Sequence, residues 1–133
     1  MQTTLIIVIS LHVLAGVFWA GTSFTLARTG GAAAERLFRP QMGAAVVAVL
    51  TGGYLWHLLH EGGFGTTEKV LALGALCAVA AAGVQGAMGA AATRKLAQAP
   101  GDAGARSRVV LAQRIAAGLL AVTVVSMVAA RYV

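Results

Sequence analysis

Charge is what this 133-residue sequence has least of: 11% of its residues are charged, against about 25% in an ordinary soluble domain. Hydrophobic residues make up 59%, and too few polar side chains remain to cover a water-soluble globule. There is one cysteine, Cys77, which excludes an intrachain disulfide. The motifs of hydrolases and nucleotide enzymes are missing as well. No phosphate-cradling glycine loop with Lys-Ser/Thr, no HExxH and no CxxC occurs. The apolar stretches contain no carboxylate, which removes the usual carrier of proton- or cation-coupled transport.

What is present is long apolar runs. Four stand out, at 5–27, 42–59, 70–93 and 109–130, each near the length that helix needs to cross a hydrocarbon core of about 30 Å. Lipid leaves the backbone of open strands unsatisfied, and these runs are too long and too rich in Ala and Gly for barrel strands. The expected fold is an all-α integral membrane protein, a four-transmembrane-helix antiparallel bundle forming a single domain over 1–133. Thr29 to Pro40 reads as the first loop, with Pro40 suited to the first turn of the second helix. Glu61 to Glu68 reads as the second, and Arg94 to Arg108, with Pro100-Gly101-Asp102-Ala103-Gly104, as a third and mobile one. The first run is expected to be a retained helix, because Met1-Gln2-Thr3-Thr4 offers no basic segment of the kind that opens a signal peptide.

The charges give an orientation. The first and third loops hold Arg28, Arg36, Arg39, Arg94, Lys95, Arg106 and Arg108 against Glu35 and Asp102, whereas the termini's side keeps Lys69 and Arg131 with Glu61 and Glu68. The positive-inside rule makes the basic loops cytoplasmic and both termini external. The expected location is a bacterial inner (plasma) membrane, with the termini periplasmic. The formal charge of +6 thus reflects orientation, and no reader fold for nucleic acid accompanies it.

Polar residues within apolar runs are candidates for function. They are His12, His57, His60, Lys69, Gln85 and Arg114. The three histidines and Lys69 come from three helices yet share the outer half of the expected bundle. His12, Gly16 and Trp19 lie along one helical face, with Ser23 beyond. An imidazole, a small residue one turn on and then an indole leave room for a flat macrocycle and wall it. Neutral imidazole is the usual axial ligand of haem b. The expected metal ligands are His12 with His57, and His60, Lys69 or Met127 as other possible second ligands. Each has a plainer reading too: His60 as an interfacial residue, Lys69 snorkelling to headgroups, and Gln85 bonding across helices. Arg114 either reaches the cytoplasmic interface or pairs with a haem propionate or quinone headgroup. The stripe of Gly83, Gly86 and Gly89 with Ala82 and Ala90 reads as a packing surface, within the bundle or between copies.

Short motifs carry a family resemblance. Leu11-His12-Val13-Leu14-Ala15-Gly16-Val17-Phe18-Trp19-Ala20-Gly21 resembles the opening helix shared by HemJ-type protoporphyrinogen oxidases and CopD-type copper-resistance membrane proteins. Thr51-Gly52-Gly53-Tyr54-Leu55, Lys69-Val70-Leu71 and Ala112-Gln113-Arg114 are similar to segments of their later helices. The resemblance implies haem b in a four-helix bundle, with His12 and Lys69 in place of the family's first-helix histidine and third-helix lysine. The Asn-Glu that follows the family's last-helix arginine is replaced by Ile115-Ala116, its third-helix His-Gly by Gln85-Gly86, and His57 and His60 are extra. The expected function is that of a small membrane cytochrome b, passing electrons or oxidising a porphyrin- or quinol-type substrate. The alternatives are a copper-handling membrane protein with histidine ligands, or an accessory subunit without a cofactor. A homo-oligomer or a partner membrane subunit is expected in either case.

Overall fold

The computed structural model of the chain describes residues 1–60 and 62–133. Glu61, counted above in the second loop, lies outside the described residues. The elements run α1 (Gln2–Arg28), α2 (Ala34–Leu59), α3 (Thr66–Val84), a π-helical turn (Gln85–Gly89), α4 (Ala90–Gln98) and α5 (Ala103–Ala129). The π turn joins α3 to α4 without a break, so Thr66–Gln98 is one long helix. Four helices are thus long and apolar enough to cross a membrane, and no strand occurs among the described residues.

Each helix runs past the apolar stretch that announces it. Pro40 is the clearest case. It falls inside α2, six residues after the helix starts, rather than in its first turn. The third loop is also shorter than the composition suggests, because Arg94 to Gln98 and Ala103 to Arg108 are helical and only 99–102 lie between. The reason is packing. Leu26, Ala34, Ala92, Leu96, Ala105 and Val109 form a small core of their own at this end, with Leu37 against it. Burying those side chains holds the helices together beyond the hydrophobic runs. Asp102 then caps α5 by accepting from the Ala105 N–H at 3.0 Å.

The α1–α2 connection is fixed to the same core. Gly30 and Gly31 have φ of 68° and 79° and Ala33 has φ of 67°, left-handed values that glycine adopts freely and alanine at some cost. The Arg106 guanidinium donates to the Gly31 carbonyl at 2.7 Å and to Glu35 at 3.0 Å, tying this turn to the first turn of α5.

Most of the burial falls on α5, which packs along α3 and also against α1, while α1 pairs with α2. At Gly74 the α3–α5 approach is close: a Cβ there would stand 3.0 Å from the Ser126 Cβ and 3.3 Å from the Thr123 carbonyl oxygen. The Thr123 hydroxyl donates to the Gly74 carbonyl at 2.9 Å. Small residues that let two backbones approach, with a hydroxyl crossing between them, are how helices associate where lipid removes the hydrophobic drive. The expected packing stripe on the third helix divides. Gly89 is buried with the Phe38 ring 3.3 Å from its would-be Cβ, whereas Gly83 faces open space.

Candidate functional site

The largest concentration of polar atoms is a buried amide cluster that joins all four long helices. Gln41 of α2, Gln85 at the start of the π turn and Gln113 of α5 are each at most 1% exposed. Gln41 and Gln113 form a reciprocal amide pair, each Nε2 donating to the other's Oε1 at 3.0 Å. Gln85 donates to Gln113 at 3.1 Å and to the Ser23 hydroxyl at 2.8 Å. Its own carbonyl oxygen accepts from the Trp19 indole N–H at 2.6 Å. Ser23 closes the circuit onto the Trp19 carbonyl at 2.8 Å. The cluster is uncharged and well satisfied, as buried polar atoms must be in a low-dielectric interior.

This cluster places Trp19. Its ring is buried among Ala45, Ala48, Ala81, Ala116 and Leu120, and its polar edge is held by Gln85. Trp19 is therefore a packing residue with a satisfied donor. Gln85 takes the plainer of its two expected roles, bonding across helices.

His12 occupies a different setting, two turns nearer the chain's start. It is half-buried, and its Nδ1 lies 2.9 Å from the Ala48 carbonyl oxygen and 3.0 Å from the Thr51 hydroxyl. Both partners act as acceptors. A carbonyl has no proton to give, and the Thr51 hydroxyl spends its proton on the Val47 carbonyl at 2.6 Å. The proton therefore sits on Nδ1, leaving the Nε2 lone pair unused. Gly52 makes room for the ring: a Cβ there would stand 3.0 Å from the His12 Cε1. Gly16, one turn along α1, has nothing within 4 Å of its would-be Cβ.

The other expected ligands do not gather around His12. Nine residues, or two and a half turns, separate Ala48 from His57, so His57 lies on the far side of α2 and is exposed. His60 is turned to Glu68, with 3.1 Å between Nδ1 and Oε1. Glu68 in turn accepts from the Gly65 N–H at 3.0 Å, so the pair closes the α2–α3 connection. Trp56 packs beside His60 and Phe64, with ring centroids 5.5 Å and 6.4 Å away. Lys69 is exposed, while Met127 and Cys77 are half-buried. Among the described residues no group of three or more His, Cys, Asp or Glu side chains is assembled.

Arg114 is exposed and lines a cavity of ≈ 420 Å³ with Phe24, Ala27, Arg28, Ala117 and Gly118. From His12 to Phe24 and Arg28 the rise along α1 is about 18 to 24 Å, so this groove and His12 belong to opposite halves of the bundle.

Sequence reasoning missed Gln41, Gln113 and the acceptors that orient His12. The amides were findable: each lies on the same face of its helix as a run of small buried residues, Gln41 with Ala45 and Ala48, Gln113 with Ala116 and Ala117. No protein-family model, curated protein or solved structure matches the chain.

Proposed function

We propose that the chain is a four-helix integral membrane protein of a bacterial inner membrane, with both termini outside, and that it binds haem b through His12. The bound haem would supply one-electron redox chemistry, for electron transfer or for oxidation of a porphyrin- or quinol-type substrate. The observation that carries this reading is the set of bonds around one imidazole. A metal-ligating histidine characteristically donates one ring N–H to a carbonyl and presents the other nitrogen to the metal. His12 is held in that way by Ala48 and Thr51, with Nε2 unengaged. Gly52 gives room to the His12 ring itself, and the open space at Gly16, one turn along α1, suits a flat ring lying alongside. The resemblance to HemJ-type and CopD-type membrane proteins supports the same residue. His57 faces away from His12, so the reading rests on His12 alone.

The test is optical. Protein purified from membranes should be red, with a Soret band that shifts on reduction and with stoichiometric iron. His12→Ala should abolish the band, while His57→Ala and His60→Ala should keep it. A colourless protein that gains no band with added haemin overturns the proposal, and copper without a Soret band would favour the copper-handling alternative.

A further inference from the structure

We propose that the groove between α1 and α5 is a binding site for one anionic phospholipid, its phosphate held between Arg28 and Arg114. This rests on the membrane part of the preceding reading and is independent of haem.

Two guanidinium groups line one cavity whose remaining walls are Phe24, Ala27, Ala117 and Gly118. Neither arginine has an acidic partner among the described residues. The chain has four acidic residues in all, and three are engaged elsewhere: Glu35 with Arg106, Glu68 with His60, and Asp102 with the first turn of α5. The fourth, Glu61, lies outside the described residues.

Two unpaired cations beside an apolar surface repel one another, and more strongly where the dielectric is low. A single phosphodiester relieves that repulsion and can accept charge-assisted hydrogen bonds from both guanidiniums, which fork onto phosphate oxygens more readily than an ammonium does. Fatty chains would have room beyond it. Gly118 lies one turn past Arg114 along α5, on the side away from the basic end, and Gly21 shares the α1 face of Phe24 and Arg28. Neither glycine has an atom within 4 Å of its would-be Cβ, so a smooth seam continues from the two charges into the apolar zone. Cationic residues over a small-residue seam match a molecule that is anionic at one end and apolar along its length. They match a free anion less well. The excess of arginine at this end of the bundle agrees with a leaflet rich in anionic lipid.

The probe is phosphatidylglycerol competing with an equal amount of phosphatidylcholine, on protein in a neutral detergent, with the retained lipid read by native mass spectrometry. Wild type should retain phosphatidylglycerol in preference by about tenfold. Arg28→Ala with Arg114→Ala should lose that preference. Arg36→Ala with Arg39→Ala removes the same charge from the same end but leaves the groove intact, and should keep it. Arg28→Lys with Arg114→Lys should retain the preference in part, and guards against misfolding of the alanine pair. Millimolar inorganic phosphate should not displace the lipid.

Equal retention of the two lipids by wild type overturns the proposal, as does equal loss in the Arg36/Arg39 variant. Displacement by phosphate alone would make it an anion site instead. Recovery of the chain in the soluble fraction without detergent would remove the membrane reading beneath it, whereas a membrane-extracted protein without lipid preference removes only the site.

Discussion

Replacing Gln113 with leucine should destabilise the bundle by about 2–4 kcal/mol, measured by denaturant unfolding in detergent. Leucine fills much of the same volume, so little of the cost is a void. The cost lies in what is left behind. The Gln41 Oε1 loses its one donor while its Nε2 keeps Thr22 and Ser23, and Gln85 loses one of its two acceptors. Those groups are buried and have no water to turn to, and an unsatisfied buried polar group costs about 1–3 kcal/mol. Ser107→Leu, at an exposed position on the same helix, should change stability by no more than about 0.5 kcal/mol. Gln41→Leu combined with Gln113→Leu should cost clearly less than the two single changes summed, because the second substitution removes a group the first had stranded. Wild-type stability in Gln113→Leu, or simple additivity in the double variant, would show that the cluster is not coupled as its geometry requires.

Gly74→Leu should cost about 3 kcal/mol or more, through sterics rather than hydrogen bonding. At this position α3 approaches α5 so closely that even a Cβ meets the Ser126 Cβ at 3.0 Å and the Thr123 backbone at 3.3 Å. One of those neighbours is main chain and cannot rotate aside. A leucine would force the helices apart and break the bond from Thr123 to the Gly74 carbonyl. Gly83→Leu is the control: the same chemical change on the same helix, into open space, should leave the unfolding midpoint nearly unmoved. Equal effects at the two positions would contradict the close approach.

The number of helices, their type and their rough placement were legible in the sequence, because hydrocarbon thickness imposes a length on any apolar run that crosses it. The helix ends were not. They are set by Ala34, Leu96 and Ala105, outside the apolar runs, packing on Leu26 and Val109 at the edges of those runs, and a hydropathy pattern cannot see a contact between distant segments. His12 stood out as a lone polar residue in an apolar helix, but the Ala48 and Thr51 acceptors that orient it come from another helix. The gathering of histidines suggested by depth alone did not extend to orientation. His57 lies about 7.5 Å of helical rise beyond Gly52, the last α2 position that the His12 ring meets, and points from the side of α2 opposite Ala48. Gln41 and Gln113 were overlooked because one adjoins Pro40 near the end of a span and the other sits inside a motif read for its arginine. Their meaning depends on each other's position, and neither announces it alone.

The π turn at Gln85–Gly89 stands where the long third helix passes from one core to the other. Its core-facing residues are Gly74, Ala78, Ala81, Gln85, Gly89, Ala92 and Leu96. Their spacing stays close to the ~3.6 residues of a helical turn, so one continuous face serves both ends of the bundle. Ala81, before the π turn, packs with Trp19, whereas Ala92 and Leu96, after it, pack with Leu26 and Val109. The widened backbone lies between these two groups, at the level of the Gln85 amide. A single rod thus spans two cores, with its one irregular turn at the seam between them.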